Sequence, residues 1–290
     1  MGELLWDVFP GARKLGGAPA NFAFHINALG SSGIILSRVG MDPTGDSAIS
    51  VLKKAGLTTR YIQRDTDRPT GEVLVTLGAE GIPDFTIVRD VAWDNFQSDA
   101  TWHKIADSAS AVCFGSLAQR SEASRRIIRS VLNAARQSVI VFDVNLRQDY
   151  FSREIIEDGI KLSHILKLND KEAANLQDCL DLGCTIDDVP ESLLSQYNGL
   201  QLVCVTMGSD GSRLVSRTDS CMMACPRVKV RDTVGCGDAF SAALVTKYLE
   251  GCDIQAMCRA ANVIGAFVAS QEGGMPDMPS EIIAEFKSIQ

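Results

Sequence analysis

Short apolar runs alternate along this chain with stretches of helical spacing. Val112–Phe114, Val139–Phe142, Ile165–Leu168 and Leu202–Val205 are the clearest runs, each too short to be a helix. Between them, Ser121 can cap a helix with apolar positions at Ile127, Ile128, Val131, Leu132 and Ala135, and further helices are expected over Ile155–Leu162 and Lys171–Cys179. Nearly continuous apolar strands that alternate with helices predict a parallel sheet covered on both faces. Upstream, Glu3–Asp7 reads as a short buried strand ending at an acid, with its first residues expected ahead of Met1. Pro19 opens a helix that runs over Asn21–Leu29 and is closed by Gly30. Gly33–Val39 reads as a strand, Asp42–Asp46 as a turn, and Gly45–Ala55 as a helix ended by Gly56. Gly71–Leu77 and Phe85–Val88 differ. They are β-rich, joined by a turn over Ala79–Asp84, and have no helix beside them, as expected of an inserted lid. Later, Val215 and residues 221–225 add β structure, and small-residue helices over Ala239–Leu249 and Ile254–Ser270 precede a terminal helix after Pro279.

Composition narrows the class. With 290 residues and 46% hydrophobic content, the chain can bury one large core. A net charge of -8 with no basic block argues against nucleic acid as a partner. No apolar run approaches the roughly 18 residues needed to span a bilayer, and no signal peptide is visible, so a cytoplasmic protein is expected. The nine cysteines are scattered without a Cys-x-x-Cys pair, and the three histidines are far apart, so reduced thiols are expected rather than a disulfide framework or a structural metal.

In open α/β sheets, ligands sit at the carboxyl ends of the strands. Polar residues recur at those ends here. Asp7 follows the first strand; Asp143, Asn145 and Arg147 share one side after Phe142; Lys167, Asn169 and Glu172 follow the next strand; Thr206 and Gly208 follow Val205. The densest stretch is Arg231–Phe240, where Gly235, Gly237 and Asp238 lead into a helix. Such a turn aims backbone N–H groups at one spot and adds the helix dipole, which makes an anion site. A carboxylate beside an anion site suggests a second task, taking the proton from an attacking hydroxyl. Neither Gly-x-x-x-x-Gly-Lys-Ser/Thr nor Asp-Phe-Gly is present, and no Gly-x-Gly-x-x-Gly follows the first strand.

Asp232–Asp238 resembles the second signature of the ribokinase-like (PfkB) family of carbohydrate kinases. Gly16–Ala23, with Gly30 and Gly40, resembles the first. Leu4–Asp7, Gly16–Asn21, Phe114–Arg120 and Phe142–Arg147 resemble the bacterial fructokinases in particular, and Ala92–Asp94 resembles a fructokinase segment near the sugar. The resemblance implies a three-layer α/β/α sandwich with a mostly parallel central sheet and a small β-sheet lid. It implies one domain over residues 1–290, with lid segments at about 9–16 and 69–92. It implies ATP-dependent phosphorylation of a sugar hydroxyl with Mg²⁺, fructose to fructose 6-phosphate foremost. Ribose, 2-keto-3-deoxygluconate, a nucleoside or a sugar phosphate are the alternatives, together with a non-catalytic binding protein on the same scaffold. A monovalent cation such as K⁺ is used in this family, and a homodimer through the lid is a further expectation.

By the same resemblance, Asp238 matches the general base and Gly235, Cys236 and Gly237 the anion hole, with Arg147 at the phosphate. Asp7, Gly16, Gly17, Asn21 and Asn145 match the sugar side. Lys167, Asn169, Thr206, Gly208, Gly211 and Asn262 match the nucleotide side, and Asn169 with Glu172 the element that organises Mg²⁺ through water. Cys236 stands where a small Ala, Ser or Gly is usual. A helix start stabilises a thiolate, which would make Cys236 a target of thiol reagents that ATP protects; a buried, inert thiol is the alternative and the preferred reading.

Overall fold

The computed structural model describes residues 1–77 and 83–290, so most of the turn expected over Ala79–Asp84 lies outside the described residues. The chain opens with a hairpin, β1 (Leu5–Phe9) and β2 (Ala12–Gly16), followed by α1 (Ala18–Ala28) with Pro19 in its first turn. Next come β3 (Ser37–Gly40), α2 (Pro43–Lys54) and β4 (Ile62–Asp65). Asp42 caps α2 by accepting the Gly45 N–H at 2.6 Å. The antiparallel pair β5 (Gly71–Leu77) and β6 (Pro83–Ile87) follows. Strands and helices then alternate: α3 (Ala100–Ser108), β7 (Ala111–Gly115), α4 (Glu122–Ala134), β8 (Val139–Asp143), α5 (Arg153–Leu162), β9 (Ile165–Asn169), α6 (Asp170–Cys179), α7 (Val189–Gln196) and β10 (Leu202–Thr206). The chain ends with β11 (Ser212–Ser216), β12 (Ser220–Met223), α8 (Cys236–Leu249), α9 (Ile254–Ala269) and α10 (Ser280–Ser288).

The central sheet has the order β12-β11-β10-β9-β8-β7, with β7 to β10 parallel and β11 and β12 antiparallel. Its strands are apolar on both faces because each face has its own layer of helices. Ile140, Phe142, Leu166 and Val203 point into one core with α3, α4, α5 and α6. Their neighbours Val141, Ile165, Leu202 and Cys204 point into the other, against α8 and α9. Fully burying each such side chain contributes about 1.5–3 kcal/mol. α8 is small-residue and buried along most of its length, which lets α9 pack closely against it.

Two other sheets stand apart from this one. A four-stranded lid has the order β2-β1-β5-β6, and β3 pairs in parallel with β4. The placement of β1 corrects the sequence reading. Asp7 does not end a central strand; it lies mid-strand in the lid, opposite Lys14 on β2 and Val73 on β5. The run Gly33–Val39 is also shorter than expected as a strand, since only Ser37–Gly40 forms a ladder and Ile34 makes a single bridge to Thr58. The helices α3 and α7 and the strand β4 are not among the expected elements. Finally, α8 starts at Cys236 rather than Ala239, which puts Asp238 inside its first turn.

Candidate active site

The site is built on the start of α8. Gly235 is its N-cap, with φ of 77°, and a Cβ there would sit 2.5 Å from Gly274 Cα. Only glycine makes this turn without strain. The turn is held by Asp232, whose two carboxylate oxygens accept the Val234 and Gly273 N–H groups, each at 3.0 Å. The N–H groups of the first turn are those that a helix leaves without intrahelical partners. The Cys236 N–H leans back toward the Thr233 carbonyl at 3.4 Å.

Asp238 is half-buried and accepts a hydrogen bond from Asn21 Nδ2 at 2.8 Å. Burial, reinforced by the nearby Asp143 charge, pushes its carboxyl up to about 7. Beneath it lies a buried polar chain. Lys167 Nζ donates to Asp143 at 3.1 Å, and Ser241 Oγ donates to the other Asp143 oxygen at 2.9 Å. Ser241 is one turn along α8 from Asp238, so this chain ties the start of α8 to the ends of β8 and β9. Burial alone would lower the Lys167 pKa; Asp143, Glu172 and Asp238 outweigh it and raise the value. A side chain at Gly237 would meet Lys167 Nζ at 3.0 Å, so the lysine lies directly under the turn.

The expected sugar-side residues converge on the same place. Asp7 is half-buried, and its carboxylate lies 2.6 Å from where a Gly16 Cβ would stand, so the glycine makes room for the acid. Burial raises the Asp7 pKa, while Arg147 and Lys14 oppose the rise. Gly17 precedes α1 as its N-cap, and Asn21 is the α1 residue that reaches Asp238. Asn145, at a φ of 42°, lines a water-sized cavity of about 20 Å³ with Glu3, Asp143 and Asp238. Arg147 is exposed, and its charge acts on Asp7, Glu3 and Asp238 together.

The expected nucleotide-side residues divide. Thr206 ends β10, and Gly208 and Gly211 form the turn that leads to β11, closed by Met207 N–H to Gly211 carbonyl at 2.8 Å. Asn262, by contrast, is buried and spends its amide on Ser212 Oγ at 3.0 Å and the Met223 carbonyl at 3.4 Å. It fastens α9 to β11 and β12 and does not join the Asp238 cluster. Asn169 and Glu172 form a capping box at the start of α6. Asn169 Oδ1 accepts the Glu172 N–H at 2.9 Å, and Glu172 accepts the Asn169 and Leu146 N–H groups, each at 2.8 Å. Both carboxylate oxygens therefore already hold backbone donors. Among the described residues, no group of three or more His, Cys, Asp or Glu side chains is arranged to hold a metal. The donor set fits a hydrated Mg²⁺ carried on phosphates better than direct ligation.

Cys236 lacks the lowered pKa of an activated helix-start thiol, in line with the preferred reading of an inert one. Burial, with the Asp232 and Asp238 charges added, pushes its thiol up to about 11. The helix start is outweighed. Three functional neighbours were also missed. Ser241 was legible only as i+3 from Asp238. Lys14 reaches from the lid to Asp232 at 3.4 Å, a contact between residues far apart in sequence. Glu3 is buried beside the site, and burial raises its pKa.

Comparison with known proteins gives the family and the fold. The model of the pfkB family carbohydrate kinases matches residues 5–281. An uncharacterized sugar kinase of Pyrococcus horikoshii is 31% identical over 285 residues, covering 95% of this chain and 87% of the relative. Its crystal structure superposes with a TM-score of 0.84, covering 99% of this chain and 97% of that one, and it has also been solved in complex with ATP. The fructokinase of Vibrio alginolyticus is 28% identical over 281 residues, covering 92% of this chain and 89% of the relative. A fructokinase double mutant of Vibrio cholerae, solved with fructose, ADP and a potassium ion, superposes with a TM-score of 0.81 at 22% identity, covering 98% of this chain and 96% of that one. The fold is thus the ribokinase-like three-layer sandwich with a lid. No helix among the described residues is long and apolar enough to cross a membrane.

Proposed function

The chain belongs to the pfkB family of carbohydrate kinases, and on that premise we propose that it transfers the γ-phosphoryl group of ATP to a hydroxyl of fructose, giving fructose 6-phosphate. One observation carries the reading: Asp238 lies in the first turn of α8, beside orphan N–H groups, with its carboxyl held by Asn21 and raised to about 7. A carboxylate with a pKa near the working pH suits a general base. Asp238 takes the proton from the attacking hydroxyl, while the N–H groups at Gly235, Cys236 and Gly237 face the charge that builds on the phosphoryl oxygens. Arg147, exposed and with its charge acting on Asp7 and Asp238, adds a planar cation suited to phosphate. Asp7 accepts sugar hydroxyls, and Lys14 on the lid, paired with Asp232, draws the lid toward the turn and excludes water.

When bound, ATP with Mg²⁺ supplies the phosphoryl group and neutralises its charge. Asn169 and Glu172 would hold that hydrated ion through water, and Thr206 with the Gly208–Gly211 turn would flank the nucleotide. A monovalent cation belongs to the same proposal, supported by the potassium bound in the Vibrio cholerae fructokinase. The fructose assignment is supported by fructokinase relatives at 28% identity. It is tested by sugar-dependent ADP release across fructose, ribose, 2-keto-3-deoxygluconate and a nucleoside. Fructose is expected to give a kcat/KM at least about tenfold above the others, the scale that a few specific polar contacts supply. A preference for another sugar discards fructose alone, and no sugar-dependent ADP release discards the kinase reading.

A further inference from the structure

The loop that follows α9 lies against the turn at the start of α8. The Arg231 N–H donates to the Ala269 carbonyl at the end of α9, at 2.9 Å. Just beyond, the Gly273 N–H donates to Asp232 at 3.0 Å. Gly274 then packs so closely on Gly235 that a Cβ on Gly235 would sit 2.7 Å from the Gly274 carbonyl oxygen. On its other side Gly274 meets Asn21: a Cβ on Gly274 would lie 2.9 Å from both Oδ1 and Nδ2 of the amide. The loop is therefore wedged between the glycine that begins α8 and the side chain that holds Asp238.

His25 holds this wedge in place. It lies one helical turn beyond Asn21 on α1, and so on the same face. Its ring is fully buried, with Nε2 at 2.9 Å from the Gly274 carbonyl. A carbonyl only accepts, so Nε2 carries the proton. Burial lowers the His25 pKa to about 4, which keeps the ring neutral at neutral pH. Nδ1 is left buried with no partner among the described residues. A polar atom buried in this way costs stability, and a leucine would fill the space without that cost. The bond to Gly274 is the one thing that an imidazole supplies here and an apolar side chain does not.

On the kinase reading above, we propose that His25 is a positioning residue for phosphoryl transfer: by donating to the Gly274 carbonyl it fixes the Gly273–Gly274 loop, which sets both the anion-binding turn at Gly235 and the Asn21 amide that orients Asp238. It acts through Gly274 and Asn21 without touching the transferring group, so loss of its donor lowers kcat more than it weakens sugar binding.

The test compares three variants with the parent. His25→Leu fills the space without a donor, and His25→Gln keeps an N–H. Gly274→Ala keeps His25 but sets a methyl group against the Asn21 amide. Sugar-dependent ADP release is measured well below each Tm, and kcat/KM is followed against pH. His25→Leu and Gly274→Ala are expected to lose about 10–100-fold in kcat with the sugar KM within about twofold, the scale of a small misplacement. The acid limb of kcat/KM, which reports the base, is expected to move to higher pH in both, because the Asn21 bond holds the Asp238 pKa down. Asp143 on β8, Lys167 on β9 and Arg147 after β8 also face Asp238 and stay as they are in every variant, and His25 titrates well below the limb. His25→Gln is expected to restore kcat to within about threefold of the parent, with the limb in its parent position. Turnover of His25→Leu within about twofold of the parent, or equal losses in the Leu and Gln variants, would overturn the role. Should His25→Leu fail to fold, parent-like kcat and pH limb in Gly274→Ala would overturn it instead. Amide exchange across Gly235–Asp238 needs no turnover and is expected to be faster in His25→Leu than in His25→Gln. Equal exchange in the two overturns the grip on the loop, whereas a parent without sugar-dependent ADP release discards the kinase reading alone.

Discussion

At the scale of single residues, Asp238 is held in a state that its surroundings oppose. Burial and the Asp143 charge raise its carboxyl from the usual value of 3.8 to about 7. The folded chain therefore keeps a proton that the unfolded chain releases between those two values. Across that window the native state binds more protons, so stability falls as pH rises and the contribution is lost by about pH 7. Asp238→Asn is isosteric, keeps a polar atom for Asn21 and carries no charge. Its Tm is expected to exceed the parent's at pH 8 by several degrees and to match it near pH 4; thermal melts at the two pH values check this. An equal offset at both would mean that the carboxyl titrates normally. The position of this residue was legible in the sequence only from two motifs together, Gly16–Ala23 and Asp232–Asp238, because glycines and an acid ahead of a helix also fit a plain helix start. The ionisation of its neighbour Cys236 was not. A helix start is visible in sequence and predicts a low thiol pKa, but burial and the two flanking carboxylates that raise it to about 11 are facts of the fold.

At the scale of elements, the lid meets the turn at the start of α8 through Lys14 on β2 and Asp232, which also receives the Val234 and Gly273 N–H groups. The lysine end is half exposed, so the ion pair itself contributes only about 0.2–1 kcal/mol. Lys14→Ala is expected to raise the sugar KM by about two- to fivefold with little change in kcat, since the pair biases lid closure without touching the transferring group. Steady-state kinetics on the variant separates the two parameters, and a fall in kcat alone would place Lys14 in the chemical step. The strand–helix rhythm of β7 to β10 was legible because each run is short, apolar and flanked by helical spacing. The true place of β1 was not, because Leu4-Leu5-Trp6 looks the same in a lid strand as in a central one, and only its partners β2 and β5 distinguish them. The Asn169–Glu172 pair shows a related ambiguity. Its spacing fits both a capping box and an ion-organising element, and the structure adds the Leu146 N–H that occupies the second Glu172 oxygen.

At the scale of the whole molecule, three layers bring residues from opposite ends of the chain to one point. Asn21 and Asp238 are 217 residues apart in sequence and 2.8 Å apart in the fold. Asp143 and Ser241 are 98 apart and meet at 2.9 Å. The carboxyl-end rule for open sheets anticipated that Asp143, Lys167 and Asp238 would share a region. The burial that raises the Asp238 pKa, with the Asp143 charge added, required the packing of α8 across β8 and β9. The central claim is that this packing makes Asp238 the proton acceptor of a sugar kinase. Sugar-dependent ADP release by Asp238→Asn beside the parent, with nucleotide affinity measured on both, tests it most directly. A loss of about 10²–10⁴-fold in kcat with nucleotide affinity unchanged is the predicted result, whereas turnover within about fivefold of the parent would contradict it.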